Sequence, residues 1–452
     1  MKIHSTASEK RPGLLLRIRR SILPDPVFPR NGTAGKRFLL RNLVLHFRPT
    51  TVPEATLRFT LTWALGGAAV VLVFLQLGTG VLLKFAYDPS PGAAYASVQT
   101  LMQQVSFGSL VRNLHFWCAN LLVAVAFLHM LRVFFTGAFH APRQFNWIVG
   151  WLLFSLLLAS NFTGYLLPFD QFAYWAVTVS TGMLAYIPAA GSWLQQAVRG
   201  GVDIGPGTLR LFFALHTALL PVVIVALMAF HFWRIRKAGG LVVPRTAGDV
   251  PETGRVPTIP HLLIREAVAA LTVIAFVLLL SVFFDAPLGD PANPGLSPNP
   301  TKAPWYFAGF QELLLHLHPA AAVFWLPLGG ALFLAAVPYL NYPKNPAGAW
   351  FVSEKGRRLA AVFAFAGFAA AILAVIAKEG MVPDSAASPM LDVGAAVVVP
   401  LLFAFVYLAL RRRSVDANES IQAIFTMAAA AFIALTVVGV FFRGAGMKFG
   451  FY

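Results

Sequence analysis

Cysteine is almost missing from this 452-residue chain, Cys118 being the only one. A single thiol excludes a disulfide framework, and without a Cys-x-x-Cys-His run there is no conventional covalent c-type haem attachment. Helix packing is the role expected of Cys118. Charge is scarce too: 12% of residues are charged against 58% hydrophobic, with a mean hydropathy of +0.70, which excludes an ordinary soluble domain. No cleavable signal is expected at the start. Residues 1–58 are basic and punctuated by proline, and 14–23 are too short and too charged for a secretory core. They read as a cytoplasmic extension with surface helices. No internal repeat or low-complexity tract is evident.

What is present is a series of stretches free of Asp, Glu, Lys and Arg: 59–83, 113–131, 144–169, 211–233, 267–284, 359–377, 393–410 and 420–442, with a further span near 320–340. Each can cross about 30 Å of hydrocarbon, so the expected fold is an all-α integral membrane protein of about nine transmembrane helices. A tenth uncharged stretch, 171–198, is interrupted by Gly182, Pro188 and Gly191 and is read as a loop. With nine spans and a cytoplasmic N-terminus, 27 of the 35 Lys and Arg fall on the inside and 8 outside. This satisfies the positive-inside rule and places the C-terminus outside. The net charge of +17 is thereby explained by topology and anionic lipid, not by nucleic acid.

Two uncharged helices carry histidine pairs, His115 and His129 on the second span, His216 and His231 on the fourth. At about 1.5 Å and 100° per residue, fourteen steps advance a helix by about 21 Å and return the side chain close to its starting face. Two such helices offer two imidazole pairs at two depths. Because the second and fourth spans run the same way, His115 pairs with His216 near the outer surface and His129 with His231 near the inner one. Imidazole on both faces of an iron is the arrangement of an electron-transferring haem. The alternative, membrane histidines that only hydrogen-bond within a bundle, does not account for the matched intervals.

Glycines repeat the interval: Gly66 and Gly80 on the first span, Gly150 and Gly164 on the third. They are expected to clear space for a porphyrin edge. Arg112 and Arg132 flank the histidines of the second span, where propionates would emerge, with interfacial snorkelling as the alternative. The outer segments 168–210 and 285–320 are rich in aromatics, Pro and Gly, and suit an apolar quinol site with a few ionisable groups.

Taken together, Arg112-x-x-His115, His129-x-x-Arg132, the glycine pairs, Gly164-Tyr165-x-x-Pro168 and Trp305-Tyr306 resemble the cytochrome b family of cytochrome bc complexes over about residues 55–340. The His216–His231 interval, followed by Ile235-Arg236-Lys237, looks more like the plastid and Gram-positive branch. The resemblance implies two haem b groups and quinol oxidation at an outer site bordered by Trp305 and Tyr306. It implies that one electron passes to a Rieske iron–sulfur protein and onward to a c-type cytochrome or equivalent acceptor. The other crosses the membrane to an inner quinone site, contributing to proton-motive force. Pro260-x-x-x-x-Arg265-Glu266 resembles the inner-site stretch, with Glu266 and Arg236 assisting there. A homodimer in a bacterial cytoplasmic membrane is implied as well.

Two departures stand out. The family usually has Pro-Glu-Trp-Tyr where this chain reads Ala303-Pro304-Trp305-Tyr306, so the customary proton-accepting glutamate is absent. Glu312 is the expected substitute, with His316, His318 and Asp170 as rivals. The chain also fuses both halves of the family fold and adds a span at 420–442 without ligand residues, expected to pack or bind a partner. The expected organisation is 1–58 as the extension, 59–240 as a four-helix dihaem module, 241–345 as inner loop, fifth and sixth spans and outer quinol loop, and 346–452 as three final spans. Two other functions fit the histidines: a haem-bearing membrane anchor of a quinone-linked dehydrogenase or reductase, and a haem-free proton-coupled transporter.

Overall fold

The computed structural model describes residues 13–22, 51–243, 254–340, 348–351, 353–381 and 389–450. Among these, eight helices are long and apolar enough to cross a membrane: Leu65–Lys84, Gly108–Phe135, Gln144–Tyr165, Pro206–Lys237, His261–Phe283, Ala321–Tyr339, Glu354–Glu379 and Ala417–Phe441. The 24-residue helix Pro389–Arg412 coincides with the remaining uncharged stretch. In chain order the nine helices are called the first to ninth spans, Pro389–Arg412, which stands outside those eight, taking the eighth place. The molecule is a multi-pass, all-α membrane protein. Its one sheet among the described residues is a two-strand antiparallel ribbon, Thr51–Pro53 against Arg255–Pro257, which ties the segment before the first span to the segment before the fifth.

The 171–198 stretch does not span. It folds as two short helices, Gln171–Met183 and Gly191–Arg199, around a tight reversal. A Cβ at Gly191 would lie 2.7 Å from the Leu184 carbonyl oxygen, so only glycine lets the chain fold back there. Local signals also set the span starts. Trp63 and Ala64, both with φ near +50°, break the chain between the short helix Phe59–Thr62 and the first span. Asp416 and Glu419 form a capping box at the start of the ninth.

The first, second, third, fourth and fifth spans share one core, built from Leu72, Cys118, Leu122, Leu157, Leu220 and Val277. Cys118 is fully buried within it. The ninth span packs along the seventh, with Gly367 against the Met427 backbone. At its inner end Phe425 stacks on Phe134 of the second span, with ring centroids 3.9 Å apart. The added span therefore touches both halves of the chain.

Of the expected boundaries, the one at 345 lies outside the described residues and the one at 240 adjoins the segment 244–253, which also lies outside. The extension contributes one described helix, Leu14–Ile22. Its Arg17 donates to the Leu340 carbonyl, and its Ser21 hydroxyl lies 3.0 Å from the Tyr339 hydroxyl.

Candidate functional site

Each histidine of the four is positioned by a glycine on a facing helix. A Cβ at Gly80 would sit 3.3 Å from His115 Cε1, one at Gly66 would sit 3.3 Å from His129 Cε1, and one at Gly150 would sit 3.8 Å from His231 Cε1. At Gly164 it would collide with the His216 ring. The glycines thus lie against the imidazoles, one apiece, and the room they leave is room for the ring.

The outer pair is held from behind. His115 Nδ1 lies 2.9 Å from the Thr79 hydroxyl, and His216 Nδ1 lies 2.9 Å from the Ser160 carbonyl oxygen, to which it donates. Such a bond fixes the ring and leaves Nε2 for a metal. The two ring centroids stand 6.0 Å apart with planes at 78°. A metal–imidazole bond of about 2.0–2.1 Å on each side, plus the roughly 1 Å from nitrogen to ring centre, calls for about that separation. The inner pair is set by the matching glycines: Gly66 faces His129 Cε1 and Gly150 faces His231 Cε1. His231 Nδ1 is buried beside the Asn146 carbonyl, short of a well-formed hydrogen bond.

The unequal intervals are reconciled by backbone geometry. Residues Leu215–Leu219, which include His216, form a π turn in the fourth span. A π turn accommodates one extra residue without changing the helix axis, so fifteen residues there match fourteen on the second span.

The flanking arginines differ. Arg112 donates to the Ala286 and Pro287 carbonyls at 2.7 and 2.6 Å and so braces the second outer loop. Arg132 donates through Nε to the Leu61 carbonyl at 2.7 Å, while its buried NH2 has no partner. A buried guanidinium nitrogen left open fits an anionic group arriving at the inner pair.

The outer segments close over this end. Asp170 caps the helix Gln171–Met183 through Ala173 N–H at 2.8 Å and accepts from Gly289 N–H at 2.9 Å, so its carboxylate is committed to joining the two loops. Between them and the sixth span lies a cavity of about 340 Å³ with apolar walls from Phe162, Met183, Phe307, Phe310 and Leu314. Ser180, Thr301 and Gln311 supply its polar positions. That size and character suit a small amphipathic ring compound. Phe162 of the third span lines the cavity and meets Phe212, one turn before His216 on the fourth span, with ring centroids 5.6 Å apart.

Trp305 donates from Nε1 to Asn120 of the second span at 2.8 Å. Burial raises the Tyr306 phenol well above its ordinary range, with nearby Tyr165 adding to the effect.

Glu312, the expected proton acceptor, is not among the residues that line this cavity. Its helix, Trp305–His316, turns Phe307, Phe310, Gln311 and Leu314 to the cavity and Glu312 to the ninth span. There Glu312 is fully buried and doubly paired with Arg443, while His316 Nε2 lies 2.8 Å from its Oε1. Burial alone would raise the Glu312 pKa, but hydrogen bonds from His316 and Arg443 and the charge of Arg443 outweigh it and hold the carboxyl below its ordinary value. A carboxylate so stabilised is a poor base near neutrality. Removing one member of such a buried pair costs about 3–5 kcal/mol.

His316 is engaged with the same carboxylate. His318 takes a bond from Ala320 N–H at 3.2 Å, and its ring meets Tyr186 edge-on at 6.0 Å. On the inner side Glu266 and Arg236 are half-buried near the ends of the fifth and fourth spans, and Arg265 is exposed.

Residues that pattern alone did not reveal are Thr79, Asn120 and Arg443. A threonine beside a helix-contact glycine and an arginine just past the last span look like ordinary membrane residues until the fold shows what they face.

Paired imidazoles between parallel membrane helices are an arrangement able to hold an electron-transferring haem. Comparison gives the family. Residues 52–239 match cytochrome b/b6/petB. The chain is 40% identical over 188 residues to cytochrome b6 of Heliobacterium modesticaldum, covering 42% of this chain and 87% of that one. It is 41% identical over 177 residues to cytochrome b6 of Porphyra purpurea, covering 39% and 82%. The chain belongs to the cytochrome b/b6 family, and membership implies haem b binding. A solved chain of a hyperthermophilic respiratory Complex III shares the fold over 89% of this chain and 98% of its own, with a TM-score of 0.62 and 24% identity. The likeness of fold therefore continues well past residue 239.

Proposed function

We propose that this chain is the dihaem, quinol-oxidising subunit of a bc-type complex in a bacterial cytoplasmic membrane, with the N-terminus inside and the C-terminus outside. The supporting observation is the outer imidazole pair, 6.0 Å between centroids with each Nδ1 engaged from behind. Haem b bound at both pairs supplies one-electron carriers at two depths, so that one electron of each quinol can cross the membrane.

The chain's own residues do the rest. His115 with His216, and His129 with His231, would hold the two haem groups, and Thr79 and Ser160 fix the outer rings. Arg132 receives a propionate at the inner pair. At the outer end the cavity beside Phe162 and Phe307 holds the quinol ring, excludes water and leaves its hydroxyls to the few polar positions on the wall. The Trp305–Asn120 bond ties that site to the ligand-bearing second span. With Glu312, His316 and Asp170 committed elsewhere, His318, between the wall residues Leu314 and Ala322 in the chain, remains the candidate to receive a proton. The second electron of each quinol goes to a Rieske iron–sulfur partner and then to a c-type cytochrome or equivalent acceptor. At the inner face Glu266 and Arg236 serve quinone reduction. Assembly as a homodimer is part of the same reading.

Purification of the intact complex from membranes tests this. The expected result is a Rieske protein in the preparation, with acceptor reduction by quinol that stops when that protein is stripped away. A preparation holding a flavin or molybdenum subunit and no Rieske protein would overturn the reading in favour of a dehydrogenase anchor.

A further inference from the structure

The ninth span has no part in ligating anything, yet its outer end carries the most heavily bonded side chain among the described residues. Arg443 is 2% exposed and uses all three guanidinium nitrogens. Nε donates to Glu312 Oε2 at 3.0 Å and NH2 to Glu312 Oε1. NH1 donates to Glu379 Oε1 of the seventh span at 2.7 Å and to the Met447 carbonyl at 2.9 Å. His316 Nε2 completes the group 3.2 Å from NH2. The tail beyond the span folds back in a bridge between Arg443 and Phe449, and the Phe449 ring lies 5.7 Å from the guanidinium carbon.

Four further ties join this end of the ninth span to the segment that forms the outer cavity. Lys302 Nζ donates to the Val440 carbonyl at 3.1 Å, and Gly446 N–H donates to the Asn299 side chain. Close packing does the rest: a Cβ at Gly439 would lie 2.9 Å from the Ala308 carbonyl oxygen, and one at Gly309 would lie 2.9 Å from Phe432. Gln311 then closes the loop from the cavity side, donating to the Thr301 carbonyl and accepting from Ala303 N–H, both at 2.7 Å. The helix Trp305–His316 is thus clamped, its one face on the ninth span and its other face forming the cavity wall.

We propose that Arg443 is a positioning residue for the outer site: by neutralising the buried Glu312 it seats the helix Trp305–His316, so that the added ninth span forms part of the site's scaffold. The inference rests on the quinol reading for the identity of the ligand, but the clamp itself does not depend on it. A buried carboxylate that loses its cation must take up a proton or drag its helix toward water. A buried glutamine need not. The physical prediction is therefore one of rescue, in which removing both charges does less harm than removing one.

The test compares Arg443→Gln, Glu312→Gln and the double variant in the purified holo-complex by two readouts. Amide hydrogen exchange over residues 305–316 should quicken at least tenfold in Arg443→Gln and return to within about threefold of the parent in the double variant. Quinol KM should rise at least fivefold in Arg443→Gln with both haem spectra intact, and fall back in the double variant. Unchanged exchange in Arg443→Gln, or a double variant no better than the single, would overturn the clamp. Altered and rescued exchange with an unmoved KM would overturn its role in the site. A parent complex that oxidises no quinol would refute the functional reading while the exchange measurement still decides the clamp.

Discussion

At the scale of single residues, the contact between Gly164 and His216 is the tightest of the four glycine–imidazole contacts. A Cβ at Gly164 collides with the ring, whereas one at Gly150 meets His231 at an ordinary 3.8 Å. Packed interiors transmit such a difference because the neighbours have no slack. Gly164→Ala should therefore shift or abolish the outer haem's absorption band, and Gly150→Ala should leave the inner one in place, as read by redox difference spectra of the two variants. Equal effects would mean that the glycines serve something other than ring placement. The glycine spacing was legible in the sequence because 3.6-residue periodicity repeats on every helix. The object each glycine faces was not, since periodicity says which side a residue is on and nothing about what occupies the space opposite.

Among the elements, the spans were legible because uncharged runs of sufficient length leave few other conformations in hydrocarbon. The rejection of 171–198 as a span held for the reasons visible in its Gly and Pro residues. What the pattern could not show was the π turn at Leu215–Leu219, because an inserted residue and a slightly rotated ligand look identical as a fifteen-residue interval. The turn makes an unusual prediction. Deleting Ala218, inside it, converts the turn to regular α-helix and should preserve both haems, while deleting Val225 turns His231 by about 100° and should cost the inner haem alone. Haem content and ligand-field spectra of the two deletions decide the matter, and loss of the inner haem in the first would remove the π turn from the account. Glu312 shows the limit of local spacing. Its place in the chain, seven residues past Trp305, suggested a proton acceptor, but its side of the helix is fixed by the ninth span, a long-range contact that local spacing cannot encode.

For the whole molecule, the four-helix bundle, the apolar cavity and the remaining spans form one continuous membrane body. The second span carries two of the four histidines, accepts the bond from Trp305 through Asn120 and stacks Phe134 on Phe425 of the ninth span. The histidines and the Trp305 helix are in this way tied to the same element, as the proposed function requires of an oxidation site beside a redox centre. Excess basic charge at the inner ends of the spans, the feature that predicts orientation, also favours reduction of a centre near that face. The proposed function depends on two iron centres being held between the second and fourth spans. The most direct measurement is the haem content of the purified chain together with its reduced-minus-oxidised spectrum, for the parent and for His216→Ala and His231→Ala. Two haem b per polypeptide, with one component lost in each variant, is the predicted result. A colourless chain, or two variants that keep the full spectrum, would contradict it.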